Sequence, residues 1–106
     1  MITFKMCDQF GSSCAVGDKA FNFLEADVLP AFEKADSVSF DFEGVKNMNS
    51  SFSNALFANL VQVRGQNVIQ EIEIKNATDR LKAEVKSSVA LGLSGVLVGP
   101  HCMASR

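Results

Sequence analysis

The chain has 106 residues, 47% apolar and 21% charged, which suits one soluble globular domain and leaves enough core to need neither a metal nor disulfide staples. Ten basic and twelve acidic residues give a net charge of −2, so nothing in the balance suggests a nucleic-acid partner. No apolar run approaches the roughly 20 residues of a membrane span, and the opening MITFKMCDQF has no signal-peptide layout.

The first element is a strand in which Ile2, Phe4 and Met6 alternate with Thr3 and Lys5. A Gly- and Ser-rich loop follows, CDQFGSSCAVG over residues 7–17, in which Ala15 and Val16 are expected to pair as a short extra strand. A helix over 18–34 puts Phe21, Leu24, Val28 and Phe32 on one stripe, with Asp18 as N-cap and Pro30 expected to bend or end it. The second strand alternates Val38, Phe40 and Phe42 with Ser39 and Asp41. A second helix over 51–63 carries Phe52, Leu56, Leu60 and Val63; Asn49 or Ser50 caps it and the Gly65 region closes it. The third strand holds Ile72 and Ile74, and a third helix over 79–91 places Leu81, Val85 and Val89 on one face behind an N-cap at Thr78. After Gly92 the sequence GLSGVLVGPHCMASR loses its period. The domain is therefore expected over 1–92 and a C-terminal tail over 93–106, whose Val96-Leu97-Val98 can dock on a neighbour.

Alternating strands predict a sheet with helices on one face and a more polar second face, because strands covered on both sides read as continuous apolar runs. Strand–helix–strand connections of this length favour parallel pairing. Nine Phe without Trp or Tyr predict a core whose aromatics are purely apolar.

The usual catalytic constellations are mostly absent. The only histidine, His101, sits in the tail, where it is expected to be solvated and inert. Cys7, Cys14 and Cys102 are too scattered for a zinc site and read as free thiols of a reducing, cytoplasmic setting. Cys14, near the helix start at Asp18, is the one mild candidate for an activated nucleophile. The stretch GSSCAVGDK from Gly11 to Lys19 departs from a phosphate-binding P-loop: the spacing is one residue too long, Asp18 intervenes and Ala20 replaces the hydroxyl. Asp41, Glu43, Glu71 and Glu73 form an acidic cluster at outward strand positions, read as a solvated face. No catalytic residue, metal site or cofactor is assigned.

The informative stretch is VSFDFEGVKNMNSSFSNALFANL from Val38 to Leu60. It runs strand, turn, short apolar stretch, then Asn49-Ser50-Ser51 at a helix start. That end of a helix favours negative charge, so a phosphoryl group on Ser50 would be tolerated there and would alter a small docking patch.

This segment resembles the signature of STAS domains, the fold of anti-sigma-factor antagonists: a hydrophobic strand, a D-x-x-G-V-like turn, then D-S-[ST]-G-L at a helix start. More closely, FGSSCAVG, VLPAFEKA, VSFDFEGV, NSSFSNAL and EIEIKN resemble a bacterial STAS-like family of unknown function over roughly residues 2–92. Asn49 stands where the motif has Asp, and Phe52 where it has Gly. The resemblance implies an α/β, STAS-like fold: a mixed, mostly parallel sheet of about four strands with helices packed on one face. It implies a small non-catalytic regulatory module that binds a protein partner, a histidine-kinase-like ATPase or serine kinase, switched by phosphorylation at Ser50. The expected docking surface is Asn47, Asn49, Ser50, Ser51 and Asn54. The alternative is a small-ligand or nucleotide module using Ser12, Ser13 and Gly17 of the 11–17 loop together with the helix start at Ser50. Neither nucleic acid nor membrane is expected as a partner. A homodimer can bury the polar sheet face, an edge strand or the tail.

Overall fold

Residues 2–94 are described by the computed structural model. In chain order they form β1 (Ile2–Lys5), α1 (Met6–Phe10), β2 (Ser13–Cys14), α2 (Gly17–Phe23), α3 (Leu29–Lys34), β3 (Val38–Asp41), β4 (Asn47–Met48), α4 (Ser50–Ser53), α5 (Asn59–Arg64), β5 (Ile72–Lys75) and α6 (Asp79–Leu93). A π-helical turn, Leu24–Val28, joins α2 to α3, and a second, Asn54–Ala58, joins α4 to α5. A 3-10 helix, Gln66–Glu71, leads into β5 and buries Val68. The expectations for His101, Cys102 and Val96-Leu97-Val98 lie outside the described residues.

The three alternating stretches pair in the order β1-β3-β5, parallel throughout, with Phe4 beside Phe40 and Phe40 beside Ile74. Period-two patterning turns Val38 and Phe40 into the core, while Thr3, Lys5, Glu73 and Lys75 stay exposed on the other face. On that open face only Ser39 is fully buried, small enough to sit between its neighbours Thr3 and Glu73; its hydroxyl has no partner among the described residues. The ladder continues one residue past β3, where the N–H of buried Phe42 donates to the Lys75 carbonyl at 2.9 Å.

Several details differ from the sequence-based expectation. The strands number five in two ladders, because β2 and β4 form a separate parallel pair, Ser13 beside Asn47 and Cys14 beside Met48. The extra strand is Ser13–Cys14 and not Ala15–Val16: Cys14 is the side chain that reaches the core, whereas Val16 is 48% exposed. The first long helix is capped at Val16, with Asp18 in its first turn, where a carboxylate still favours the positive end of the helix. Pro30 does not end that helix. It falls just after the π-helical turn Leu24–Val28, which widens the backbone where the proline ring would otherwise meet the carbonyl one turn back, and the helix continues to Lys34.

The helices close the core on one side of the sheet. Edge-to-face contacts link Phe52 to Phe10 (4.8 Å), Phe10 to Phe23 (5.3 Å), Phe23 to Phe4 (5.0 Å) and Phe40 to Phe57 (5.2 Å), and Phe4 stacks on Phe40 at 6.1 Å. Phe10 reaches this chain because residues 6–10, read from sequence as strand end and loop, coil into the single helical turn of α1.

Candidate functional site

The site forms where the β2–β4 ladder runs into the helix over residues 50–64. Asn49 is its frame. The Asn49 N–H donates to the Cys14 carbonyl at 3.0 Å, continuing the ladder by one residue. Its side-chain Oδ1 accepts from the Phe52 N–H at 2.9 Å, which makes it the N-cap. Its Nδ2 donates to the Ala15 carbonyl at 3.0 Å, tying the cap to the 11–17 segment. Phe52, at the position of the motif glycine, turns fully into the core against Phe10.

Around that frame, Asn47, Ser50 and Ser51 are exposed, and the Ser50 hydroxyl has no hydrogen-bond partner among the described residues. Asn54 behaves differently. It is half-buried, and its Oδ1 accepts from the Ser88 hydroxyl at 2.7 Å. Ser88 in turn lies 2.6 Å from buried Ser53, which also donates to the Glu84 carbonyl at 3.2 Å. This polar cluster holds the helix start against α6, so Asn54 serves packing as well as surface.

The 11–17 segment and the helix start do meet, as the alternative reading requires, but they meet in contact. A Cβ on Gly17 would lie 2.7 Å from the Ser51 hydroxyl and 3.2 Å from the Ser51 carbonyl, leaving no room between them for a phosphate. The carbonyl of Ser12 is already taken by the N–H groups of Lys46 (2.8 Å) and Asn47 (3.2 Å). Open space lies instead on the outer face of the ladder. One groove of about 160 Å³ is lined by Gln9, Phe10, Ser13, Ala15, Val16, Lys19 and Phe52. A second, of about 220 Å³, borders Ser13, Ala15, Lys46, Asn47, Met48, Asn49, Arg80 and Leu81. The two share Ser13 and Ala15. Lys19, Lys46 and Arg80 were not legible as a group in the sequence, since they come from three separate helix and loop segments that only the fold gathers.

The other chemical candidates separate. Cys14 is fully buried and its thiol is pushed up to about 11 by burial, with Cys7 adding to the shift, the reverse of what an activated nucleophile needs. Among the acidic cluster, the Asn76 side chain and then the Glu43 N–H hold the Asp41 carboxyl below the usual carboxylate range, and Glu73 pairs with Lys75 at 3.6 Å. Among the described residues no group of three His, Cys, Asp or Glu could hold a metal ion, and no helix is long and apolar enough to cross a membrane.

Comparison with known proteins is consistent with this architecture. No curated protein and no solved structure is significantly similar to the chain. A family model, however, matches residues 24–82, which run from the first π-helical turn through both strands β3 and β5, the cap at Asn49 and the start of α6. With parallel strands, helices on one face and a capped serine pair at the helix start, the chain belongs to the family described as STAS-like domain of unknown function (DUF4325).

Proposed function

We propose that this chain is a small, non-catalytic regulatory module of the cytoplasm. It docks on a protein partner through the surface around Asn47, Asn49, Ser50 and Ser51, as anti-sigma-factor antagonists do. The observation that carries the reading is the state of the cap. Asn49 is fully committed to holding the helix start, while Ser50 beside it is exposed and its hydroxyl has no partner among the described residues, so a rigid frame presents an unencumbered polar patch. The raised thiol of Cys14 supports the non-catalytic part of the reading.

The partner is a histidine-kinase-like ATPase or a serine kinase that modifies Ser50 and thereby releases the module. A phosphoryl group there adds about −1.5 to −2 charge, tolerated by the helix start but not by a contact built for a neutral hydroxyl. The test is a pull-down with wild type, Ser50→Ala and Ser50→Asp. Ser50→Ala should retain the captured partner and Ser50→Asp should lose at least tenfold. Equal capture by both variants removes the switch; partner capture unaffected by bulky substitution at Asn47 and Ser51 removes the docking surface.

A further inference from the structure

We propose that the two grooves on the outer face of the β2–β4 ladder seat an extended acidic segment of the protein partner. This inference rests on the docking reading and names the chemistry that the docked segment carries.

Charge is the first argument. Lys19 lines one groove, Lys46 and Arg80 line the other, and among the described residues no Asp or Glu lines either. The chain as a whole is acidic, with twelve carboxylate residues against ten basic ones, so this local excess of positive charge is not inherited from composition. None of the three cations forms an ion pair within the described residues. The pairs present, Arg64 with Glu33 and Lys75 with Glu73, lie elsewhere. Three cations spread over the two adjoining grooves leave a field that an acidic segment neutralises and that steers its approach.

Shape is the second argument. Along a strand, alternate side chains face opposite sides, so Cys14 and Met48 turn inward while Ser13, Ala15, Asn47 and Asn49 form the outer floor. These are small or short side chains, so an extended backbone can lie close to the ladder. Half-buried Phe10 and exposed Val16 in the first groove add apolar surface beside the charges. The occupant is therefore acidic with interspersed apolar residues.

Two other occupants fit less well. Pockets for small ligands typically enclose about 300–1,000 Å³, more than either groove offers. Single-stranded nucleic acid needs open aromatic faces for stacking. Here Phe52 is fully buried, and half-buried Phe10 is engaged by Phe23 and Phe52, with no Trp or Tyr in the chain.

The test is an NMR titration of the ¹⁵N-labelled protein with a peptide of alternating Glu and Val, beside the same peptide with Lys for Glu. The acidic peptide should shift the amides of Ser13, Ala15, Lys19, Lys46 and Arg80. Its affinity should fall with added salt and drop at least tenfold in the double variant Lys46→Glu, Arg80→Glu, whose exposed positions leave the core untouched. The proposal is overturned if those amides do not move, if the Lys peptide binds as well, or if a single-stranded oligonucleotide displaces the peptide. The pull-down separates this result from the docking reading. A partner that senses Ser50→Asp but binds the charge-reversed protein normally leaves docking in place and removes the acidic seat.

Discussion

Asn49 shows why a single side chain can carry both a fold and a site. An aspartate at this position would cap the helix equally well, because the cap needs only an acceptor oxygen. The amide adds a donor, and the donor reaches the Ala15 carbonyl, so asparagine ties together two segments that a carboxylate would leave apart. Asn49→Ala removes both bonds and should lower stability by about 1–2 kcal/mol in urea unfolding. Asn49→Asp keeps the cap and loses the tie, so it should fall between wild type and Asn49→Ala. An aspartate variant as weak as the alanine one would show that the tie, and not the cap, dominates. The capping role of Asn49 was legible because caps are local: a polar residue, a helical period and a short reach suffice. Its bond to Ala15 was not, since the partner lies 34 residues away.

At the scale of elements, the helices are shaped by what they press against. In α6, Gly92 lets the helix approach the segment over 50–64 closely. A Cβ there would sit 2.7 Å from the Ala58 carbonyl oxygen and 3.0 Å from Val61 Cβ, and a carbonyl oxygen held in a helix cannot move aside cheaply. Helix propensity alone would make Gly92→Ala stabilising by about 1 kcal/mol. The close approach reverses the sign, and the variant should instead be destabilised by about 1–3 kcal/mol in urea unfolding; a gain in stability would refute the contact. The π-helical turn Asn54–Ala58 is matched by Asn59, whose buried side chain donates to the Ala55 carbonyl at 2.9 Å. Thr78 and Gly65 bound their helices as the sequence suggests, Thr78 opening α6 by accepting from Leu81 N–H at 3.2 Å and Gly65 closing α5 by adopting φ of 87°, which side-chain-bearing residues rarely reach. Asp18 and Pro30 mislead because their local preferences yield to the backbone geometry that packing imposes.

Across the whole molecule, the rings from Phe52 through Phe10, Phe23 and Phe4 to Phe40 and Phe57 connect the cap at the surface with the central strand. Beside this chain of rings lies Cys14, sealed in the core under the β2–β4 ladder, and it links stability to pH. Unfolded, its thiol ionises near 9.0; folded, burial raises it to about 11. Below pH 9 both states hold the proton and stability is unaffected. Between pH 9 and 11 the unfolded state releases its proton first, so stability falls as pH rises, by at most about 2–3 kcal/mol. The chain has no Tyr to obscure this window. Denaturant midpoints of wild type should therefore fall more steeply between pH 9 and 11 than those of Cys14→Ala, even though the variant starts less stable. Parallel slopes would show that the thiol is not sealed.

What the sequence alone determined follows from short-range rules. Period-two alternation marked β1, β3 and β5, the 3.6-residue stripes marked the three long helices, and polar caps marked where two of them begin. A sheet covered on one face followed from the polar residues between the apolar ones. Only the tertiary structure decided which side chains meet. It paired Ser13 with Asn47 in a second ladder, closed Gly17 onto Ser51, drew Asn54 toward Ser88, and brought Lys19, Lys46 and Arg80 to one surface. The physical reason is range: periodicity and capping act over a few neighbouring residues, whereas these contacts join distant segments that become neighbours only once the core has closed.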